Sequence, residues 1–323
     1  MSTVAPPKAD LDFFDRNGYL VVNDVFDQET EIKPLVAEYM ELIDRLVAGW
    51  VADGTLSSDY ADLAFPERLA RVLSETGAKG YMPLDISLPS KSVDPSITMH
   101  YGPALFNLLN SPRLLDVVEQ FIGPEIQSNP IQRTRIKPPE RLLSDTFDHT
   151  NVKRSAWHQD QGVAMPVVDE SNMLTVWVAV TDATVENGCL CVIPGSHKGG
   201  MVKHCIGDHG GTHIPPSARN YDDGLPLPVR SGGIVLFHRR TIHGSLANVS
   251  DGIRWSFDLR FQPIGEPTGR DWCPVYNARS KAHPESVVTD WREVATMWKE
   301  TRERLIAEQV VHESNRWGGV SCA

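Results

Sequence analysis

The chain has 323 residues, of which 41% are hydrophobic and 23% are charged, and its formal net charge at pH 7 is −11. This composition is typical of a globular protein, and the acidic balance disfavours nucleic acids and anionic membranes as partners. The five cysteines form no Cys-x-x-Cys pair, and no stretch of about 18 apolar residues occurs. We therefore expect reduced thiols, no membrane span and a cytoplasmic location, and the sequence predicts no particular oligomeric state.

The first 125 residues are predicted to be mostly helical. Asp27 is a candidate N-cap for a helix with apolar residues at helical spacing. Pro34 must either kink this helix or delay its start, because proline lacks the backbone N–H that a helix interior needs. Turn signals and apolar periodicity predict the other elements of this part: a strand over 19–22 and helices over 66–75 and 112–122.

From about residue 126 the pattern changes to short strands separated by turns. Strands are predicted over 126–137, 173–180, 189–193, 234–237 and 253–262. Helices followed by short strands favour a mainly β protein with flanking α-helices and a double-stranded β-helix core, the jelly roll of cupin-like proteins. We predict one domain over 1–323, with a mostly helical part (1–125), a jelly-roll core (126–265) and a C-terminal helical extension (266–323).

The segment Trp157-His158-Gln159-Asp160 places an imidazole and a carboxylate two residues apart. On an extended segment His158 and Asp160 point to the same side, so they could hold adjacent positions of a metal ion. His243, which follows a predicted strand, is a candidate third ligand. Two histidines and one carboxylate form the facial triad of non-haem Fe(II) oxygenases. We predict these three residues as catalytic metal ligands, although the His-x-Asp pair alone also fits an ordinary strand surface.

The strand predicted over 253–262 has one polar and one apolar face. Alternation places Arg254, Ser256, Asp258 and Arg260 together, opposite four large apolar side chains. Because the apolar face belongs in a core, the polar face must look either at solvent or into a polar cavity. Iron in a facial triad commonly uses a 2-oxo acid, and an arginine beside a hydroxyl suits the distal carboxylate of such a ligand.

Several segments occur in a characteristic order between about 126 and 262. They are Lys137-Pro138-Pro139, Trp157-His158-Gln159-Asp160, Trp177, Asn187-Gly188-Cys189-Leu190, Pro194-Gly195-Ser196-His197, Phe237-His238, His243-Gly244-Ser245 and Arg254. In these segments the chain resembles the phytanoyl-CoA dioxygenase family of Fe(II)/2-oxoglutarate-dependent oxygenases. The N-terminal region, with Phe121-Ile122-Gly123-Pro124, is also similar.

The resemblance implies Fe(II) on the predicted triad, with 2-oxoglutarate and O2 as cosubstrates. It implies oxidation of a C–H bond of a small-molecule substrate, most simply hydroxylation, while 2-oxoglutarate becomes succinate and CO2; tailoring of secondary metabolites is one such setting. The residues that it places at the cosubstrate are Arg254, which would pair with the distal carboxylate, Ser245, Ser256, Trp177 and Arg133. An arginine at position 133, where the family has an apolar residue, could serve the substrate instead.

Halogenation is disfavoured by Asp160, because halogenases of similar scaffold have a small residue in place of this carboxylate. Three other interpretations stay open at this point. Desaturation, epoxidation or rearrangement by the same iron centre, or a non-catalytic jelly-roll protein that only binds metal, fit the same residues. A group of loop residues also suggests zinc, although its spacing is looser than that of structural zinc sites and a solvated loop is the simpler interpretation. This group comprises His204, Cys205, His209 and His213.

Overall fold

The computed structural model describes residues 8–89, 93–143, 154–206, 211–218, 224–313 and 316–318. Its α-helices are α1 (Leu11–Asn17), α2 (Lys33–Ala52), α3 (Phe65–Thr76), α4 (Ala78–Tyr81), α5 (Pro103–Leu109), α6 (Pro112–Ile122) and α7 (Trp291–Glu308). Its strands are β1 (Tyr19–Val22), β2 (Ile126–Ser128), β3 (Arg133–Lys137), β4 (Leu174–Ala179), β5 (Leu190–Val192), β6 (Cys205–Ile206), β7 (Thr212–His213), β8 (Leu225–Leu227), β9 (Ile234–His238), β10 (His243–Ser245), β11 (Arg254–Pro263) and β12 (Tyr276–Arg279).

The strands form a jelly roll of two main antiparallel sheets. The larger sheet has the order β1-β9-β4-β11-β2-β12, and β3 also pairs with β11. The smaller sheet has the order β10-β5-β8, and β6 and β7 form a separate hairpin. The single strand predicted over 126–137 was wrong, because this segment breaks into β2 and β3, each of which pairs with β11. The larger sheet also draws β1 and β12 from outside 126–265.

The predicted start of α2 is explained by its first turns. The Asp27 side chain accepts hydrogen bonds from the backbone N–H groups of Glu29 and Thr30, as an N-cap does. A π-helical turn over Gln28–Ile32 follows, and the α-helix begins at Lys33. Pro34 therefore lies in the first turn of α2, where a missing N–H costs no hydrogen bond.

The larger sheet is buried on both faces, as the alternation of its strands predicts. One face packs against the helices, with Val176 of β4 and Trp255 and Phe257 of β11 in the same hydrophobic cluster as Leu35 and Tyr39 of α2. The opposite face turns toward the smaller sheet. There an apolar cluster fills the interior of the jelly roll with Trp177, Ala179, Leu190, Val192, Val235 and Phe237 among its members. The polar side chains of the same face form the site.

Two expectations about the exterior and the cysteines can be compared with the structure. Within the described ranges, no helix has the length and apolar character to cross a membrane. Cys189 and Cys273 carry free, buried thiols. Cys205 is disulfide-bonded, so the expectation that all of the thiols are reduced was wrong for this residue.

Candidate metal centre

The three predicted metal ligands lie together at one end of the jelly-roll interior. His243 begins β10 and forms an isolated antiparallel bridge with His158, through backbone hydrogen bonds of 3.0 Å and 2.9 Å. Asp160 begins a 3₁₀ turn, so only part of the 157–160 segment is extended. One potential ligand atom from each residue lies within 4.8 Å of the others. In the part of the chain that the structure describes, no other group of three His, Cys, Asp or Glu side chains could hold a metal.

Backbone carbonyls fix which nitrogen of each imidazole is available. His158 Nδ1 lies 2.8 Å from the carbonyl oxygen of Ala156, and His243 Nδ1 lies 3.0 Å from that of Thr241. Because a carbonyl can only accept, each Nδ1 carries the proton and each Nε2 keeps its lone pair. His243 Nε2 is 3.8 Å from Asp160 Oδ2. The free lone pairs therefore belong to the nitrogens that a metal ion would use.

The protonation states of these residues also suit a metal ion. Burial and, to a smaller extent, the nearby His243 lower the pKa of His158 to about 3, so this imidazole is neutral at pH 7. Burial alone would raise the pKa of Asp160, but Arg260 and the two histidines outweigh it and lower this pKa below its usual range. The neutral imidazole of His158 and the ionised carboxylate of Asp160 are the forms that bind metal.

Two side chains hold the Asp160 carboxylate in place. Arg260 Nη2 donates to Oδ1, and Thr175 Oγ1 donates to Oδ2 at 2.7 Å. Arg260 is itself anchored, because its Nη1 donates to the carbonyl oxygen of Ile131 at 2.7 Å. Arg260 lies on the polar face of the predicted strand, but no sequence pattern indicated a role for it. The β4–β11 register places Arg260 opposite Thr175, and both side chains therefore reach the Asp160 carboxylate.

Gln159 fixes the segment between His158 and Asp160 from the other side. It is fully buried, and its amide nitrogen donates to the carbonyl oxygens of Gly200 and Arg240 at 2.8 Å and 2.7 Å. Its backbone N–H donates to His204 Nε2 at 3.0 Å. His204 Nδ1 lies 2.7 Å from the carbonyl oxygen of Val202, so both ring nitrogens are engaged. His204 thus braces the metal segment rather than binding zinc, and His209 lies outside the described residues.

A cavity opens beside the three ligands between the two sheets. Its lining comprises Arg135, Ser155, His158, Asp160, Thr175, Trp177, Leu190, Phe237, His243, Gly244, Arg254, Asp258 and Arg260. The lining combines the metal ligands with the polar faces of β4 and β11, as the alternation of both strands predicts. Arg135 Nε donates to Asp258 Oδ2 at 2.7 Å inside this cavity. Sequence reasoning did not single out this pair, because its two members come from separate strands.

Arg254 presents a buried guanidinium to the cavity. The residue is only 2% exposed, and its guanidinium carbon lies 5.2 Å from the ring centroid of Trp177. Arg254 Nη1 donates to Ser256 Oγ at 3.0 Å, while Nε has no hydrogen-bond partner among the described residues. Burial lowers the pKa of Arg254 to about 10, so the side chain still carries its charge at pH 7. A buried cation in this position suits an anionic ligand.

The remaining predicted residues lie near this site but have other contacts. Ser245 Oγ accepts hydrogen bonds from Lys137 Nζ at 2.7 Å and from the Ser155 N–H at 2.8 Å. Arg133 donates to Asp85 Oδ2 at 3.0 Å and to two loop carbonyls. Among the described residues that line the cavity, Ser245, Ser256 and Arg133 do not occur. The structure thus brings Arg254 and Trp177 to the metal ligands and directs Arg133 elsewhere.

The family model for phytanoyl-CoA dioxygenase (PhyH) matches residues 14–256. The chain belongs to the phytanoyl-CoA dioxygenase family. Phytanoyl-CoA dioxygenase 1 of Oryza sativa subsp. japonica is 36% identical over 85% of this chain and 94% of that protein. Phytanoyl-CoA dioxygenase domain-containing protein 1 of Rattus norvegicus is 41% identical, over 32% of this chain and 36% of that protein.

Solved structures agree on the fold. EvdO2 from Micromonospora carbonacea var. aurantiaca is 22% identical and has a TM-score of 0.50, with 84% of this chain and 99% of that chain covered. The non-heme monooxygenase ThoJ, without ligand, is 17% identical and has a TM-score of 0.50, with 92% and 98% covered. At these identities the likeness establishes the jelly-roll fold and no more. The family membership adds the cofactors, since phytanoyl-CoA dioxygenases depend on Fe(II) and 2-oxoglutarate.

Proposed function

We propose that this protein, an oxygenase of the phytanoyl-CoA dioxygenase family, hydroxylates a C–H bond of a small-molecule substrate and converts 2-oxoglutarate and O2 to succinate and CO2. The observation that carries the proposal is one cavity that combines a two-histidine, one-carboxylate ligand set with the buried guanidinium of Arg254. A protein that only binds metal has no need of this cation. Tailoring of a secondary metabolite is the setting that we propose for this reaction.

The donor atoms fit Fe(II). His158 and His243 would bind through Nε2, because backbone carbonyls engage each Nδ1. Asp160 would bind through Oδ2, which lies 3.8 Å from His243 Nε2, while Arg260 holds Oδ1. When bound, iron with 2-oxoglutarate supplies the O2 activation and the oxidation of the substrate. Arg260 fixes the direction of the Asp160 carboxylate and balances its charge.

Arg254 is the proposed anchor for the distal carboxylate of 2-oxoglutarate. Its guanidinium lies over the ring of Trp177, and Ser256 accepts one of its N–H groups, so its orientation is set before the ligand arrives. Ser245 would support the same carboxylate from a position that Lys137 holds. The predicted contact of Arg133 with 2-oxoglutarate is not favoured, because Asp85 and backbone carbonyls take up its donors.

Hydroxylation is favoured over halogenation because Asp160 occupies the position that a halide would need. The carboxylate is buried and held by two hydrogen bonds, so it does not leave space at the metal. Phe237 and Leu190 line the cavity beside the three ligands, and their apolar side chains would exclude water from the reacting groups. The substrate would approach the metal from this cavity.

Two variants studied in parallel test the assigned roles. His158→Ala removes a proposed metal ligand, so it is expected to lose Fe(II) binding and all succinate formation. Arg254→Ala leaves the metal ligands intact, so it is expected to bind Fe(II) normally while its affinity for 2-oxoglutarate falls about 100-fold, roughly the loss of two hydrogen bonds to a charged group. Arg292→Ala, at a side chain that is 72% exposed, is the matched control.

The readouts are anaerobic Fe(II) titration, 2-oxoglutarate titration of the iron-loaded protein, and succinate release. Equal iron loss in His158→Ala and Arg254→Ala would contradict the role of Arg254. Wild-type protein that binds iron stoichiometrically but forms no succinate with any of a broad set of small molecules would favour the non-catalytic interpretation.

A further inference from the structure

Buried arginines surround the cavity, and several have a carboxylate partner. Arg260 bonds to Asp160, Arg135 Nε lies 2.7 Å from Asp258 Oδ2, and Arg133 Nη1 lies 3.0 Å from Asp85 Oδ2. In the proposed function, Arg254 pairs with the distal carboxylate of 2-oxoglutarate. Because an unpaired charge in a protein interior is strongly unfavourable, a further buried arginine in this neighbourhood needs an explanation.

Arg270 is such a residue. It lies between β11 and β12 and is only 6% exposed. Its Nε and Nη1 atoms are buried and have no hydrogen-bond partner among the described residues. Burial, together with the charges of Arg133 and Arg260, lowers the pKa of Arg270 to about 9, so most molecules still carry this charge at pH 7. The charge is therefore buried and present, and Asp85, a carboxylate that acts on it electrostatically, already pairs with Arg133.

The segment that carries Arg270 is fixed next to the cavity wall. A Cβ atom on Gly269 would lie 3.8 Å from Ile131 Cδ1, and the carbonyl oxygen of Ile131 accepts the hydrogen bond from Arg260. Gly269 has a φ of +77°, a conformation that favours glycine, directly before Arg270. The Arg270 N–H also donates to Thr268 Oγ1 at 3.1 Å. The backbone next to Arg270 therefore lies near Ile131, the residue that anchors Arg260 of the cavity wall.

We propose that Arg270 binds an anionic group of the organic substrate, a carboxylate or a phosphate. The guanidinium group is the side chain best suited to both, since its planar N–H donors match their oxygen atoms. The enzyme then acts on anionic small molecules, with Arg254 reserved for 2-oxoglutarate. This inference rests on the proposed function, but its test needs neither iron nor turnover.

The test is thermal unfolding of the full chain, freed of metal by a chelator, in sodium phosphate or sodium acetate against sodium chloride at equal ionic strength. Wild type is expected to unfold about 2 °C or more higher in about 50 mM of the bound anion, since ligands of the folded state stabilise it by mass action. The phosphate and acetate arms show which group is preferred. Arg270→Met is expected to lose the shift, whereas Arg254→Met and the exposed control Arg292→Met keep it.

Other outcomes overturn the proposal. Loss of the shift in Arg254→Met with retention in Arg270→Met places the anion in the cosubstrate pocket. Equal shifts in all variants, or no shift in wild type, exclude a site at Arg270. Without added anion, Arg270→Met is expected to unfold at the same or a higher temperature, because an uncompensated buried charge has been removed. A clear decrease would show that another part of the chain pairs with Arg270. None of these outcomes bears on Fe(II) binding, so failure here and failure of the proposed function are distinguishable.

Discussion

Replacement of Arg260 by methionine tests how the buried carboxylate of Asp160 is stabilised. The side chains of Arg260 and Asp160 are 6% and 2% exposed, and Arg260 is the cation bonded to Asp160 in the described structure. Loss of one partner of a buried ion pair typically costs about 3–5 kcal/mol, because the other charge stays buried without compensation. Thr175 still donates to Asp160 in the variant, so we expect a loss near the lower end, about 3 kcal/mol of unfolding free energy in the metal-free protein.

The loss of unfolding free energy in Arg260→Met is expected to be smaller when a divalent metal is bound. A metal ion at the site replaces the missing positive charge, so Mn(II), which avoids oxidation during the measurement, should stabilise Arg260→Met more than wild type. Urea unfolding of both proteins with and without Mn(II) gives the four free energies, and the exposed Arg292→Met serves as the control. A loss below about 1 kcal/mol without metal, or an equal loss with and without it, would refute this account of the ion pair.

Three further predictions concern the surroundings of the site. Trp317→Ala removes a ring that stacks on His204 at a centroid distance of 5.5 Å and donates a hydrogen bond to the Gly162 carbonyl. Metal affinity, measured by competition with a chelator, should therefore fall about tenfold. Unchanged affinity would exclude a role for this contact. Gly188→Ala places a Cβ 2.7 Å from a backbone oxygen at φ +87°, and should lower the unfolding free energy in urea by about 1–3 kcal/mol, whereas Gly252→Ala, with open space around it, should not. Asp160→Gly should abolish hydroxylated product in mass-spectrometric assays even where some iron remains, and product at the wild-type rate would overturn the assignment of this ligand.

Much of the site was predictable because strands alternate. The apolar residues of β11 all lie in the main core, and Arg254, Asp258 and Arg260 all line the cavity, as the pattern of residues 253–262 predicts. The same rule placed Thr175 and Trp177 of β4 on the cavity side. Local sequence determines which face a residue occupies, since a change of face would bury charges in the core.

The pairing of those polar side chains was not predictable, because it depends on contacts between distant segments. Arg260 meets Asp160 only through the register of β11 with β4, and Arg135 meets Asp258 only through the register of β11 with β3. Arg133 shares the β3 face with Arg135, yet its long side chain reaches Asp85 in an N-terminal loop instead of the cavity. Neither the spacing nor the type of these residues indicates which carboxylate each arginine contacts.

The form of the metal segment is a second feature that tertiary structure decides. An extended 157–160 segment was expected, but Asp160 already begins a 3₁₀ turn. The carboxylate still reaches the histidines because Gln159 is held by Gly200 and Arg240, and because His158 pairs with His243. These contacts span 40 residues or more along the chain, so no local pattern indicates them.

The most direct test of the central claim is the fate of oxygen in a reaction of the wild-type protein with Fe(II), 2-oxoglutarate and ¹⁸O₂. If the cavity at His158, Asp160 and His243 is that of a 2-oxoglutarate oxygenase, each 2-oxoglutarate consumed yields one succinate that contains one ¹⁸O atom, and His158→Ala yields none. Stoichiometric iron binding without labelled succinate, or equal labelling in wild type and His158→Ala, would contradict the account.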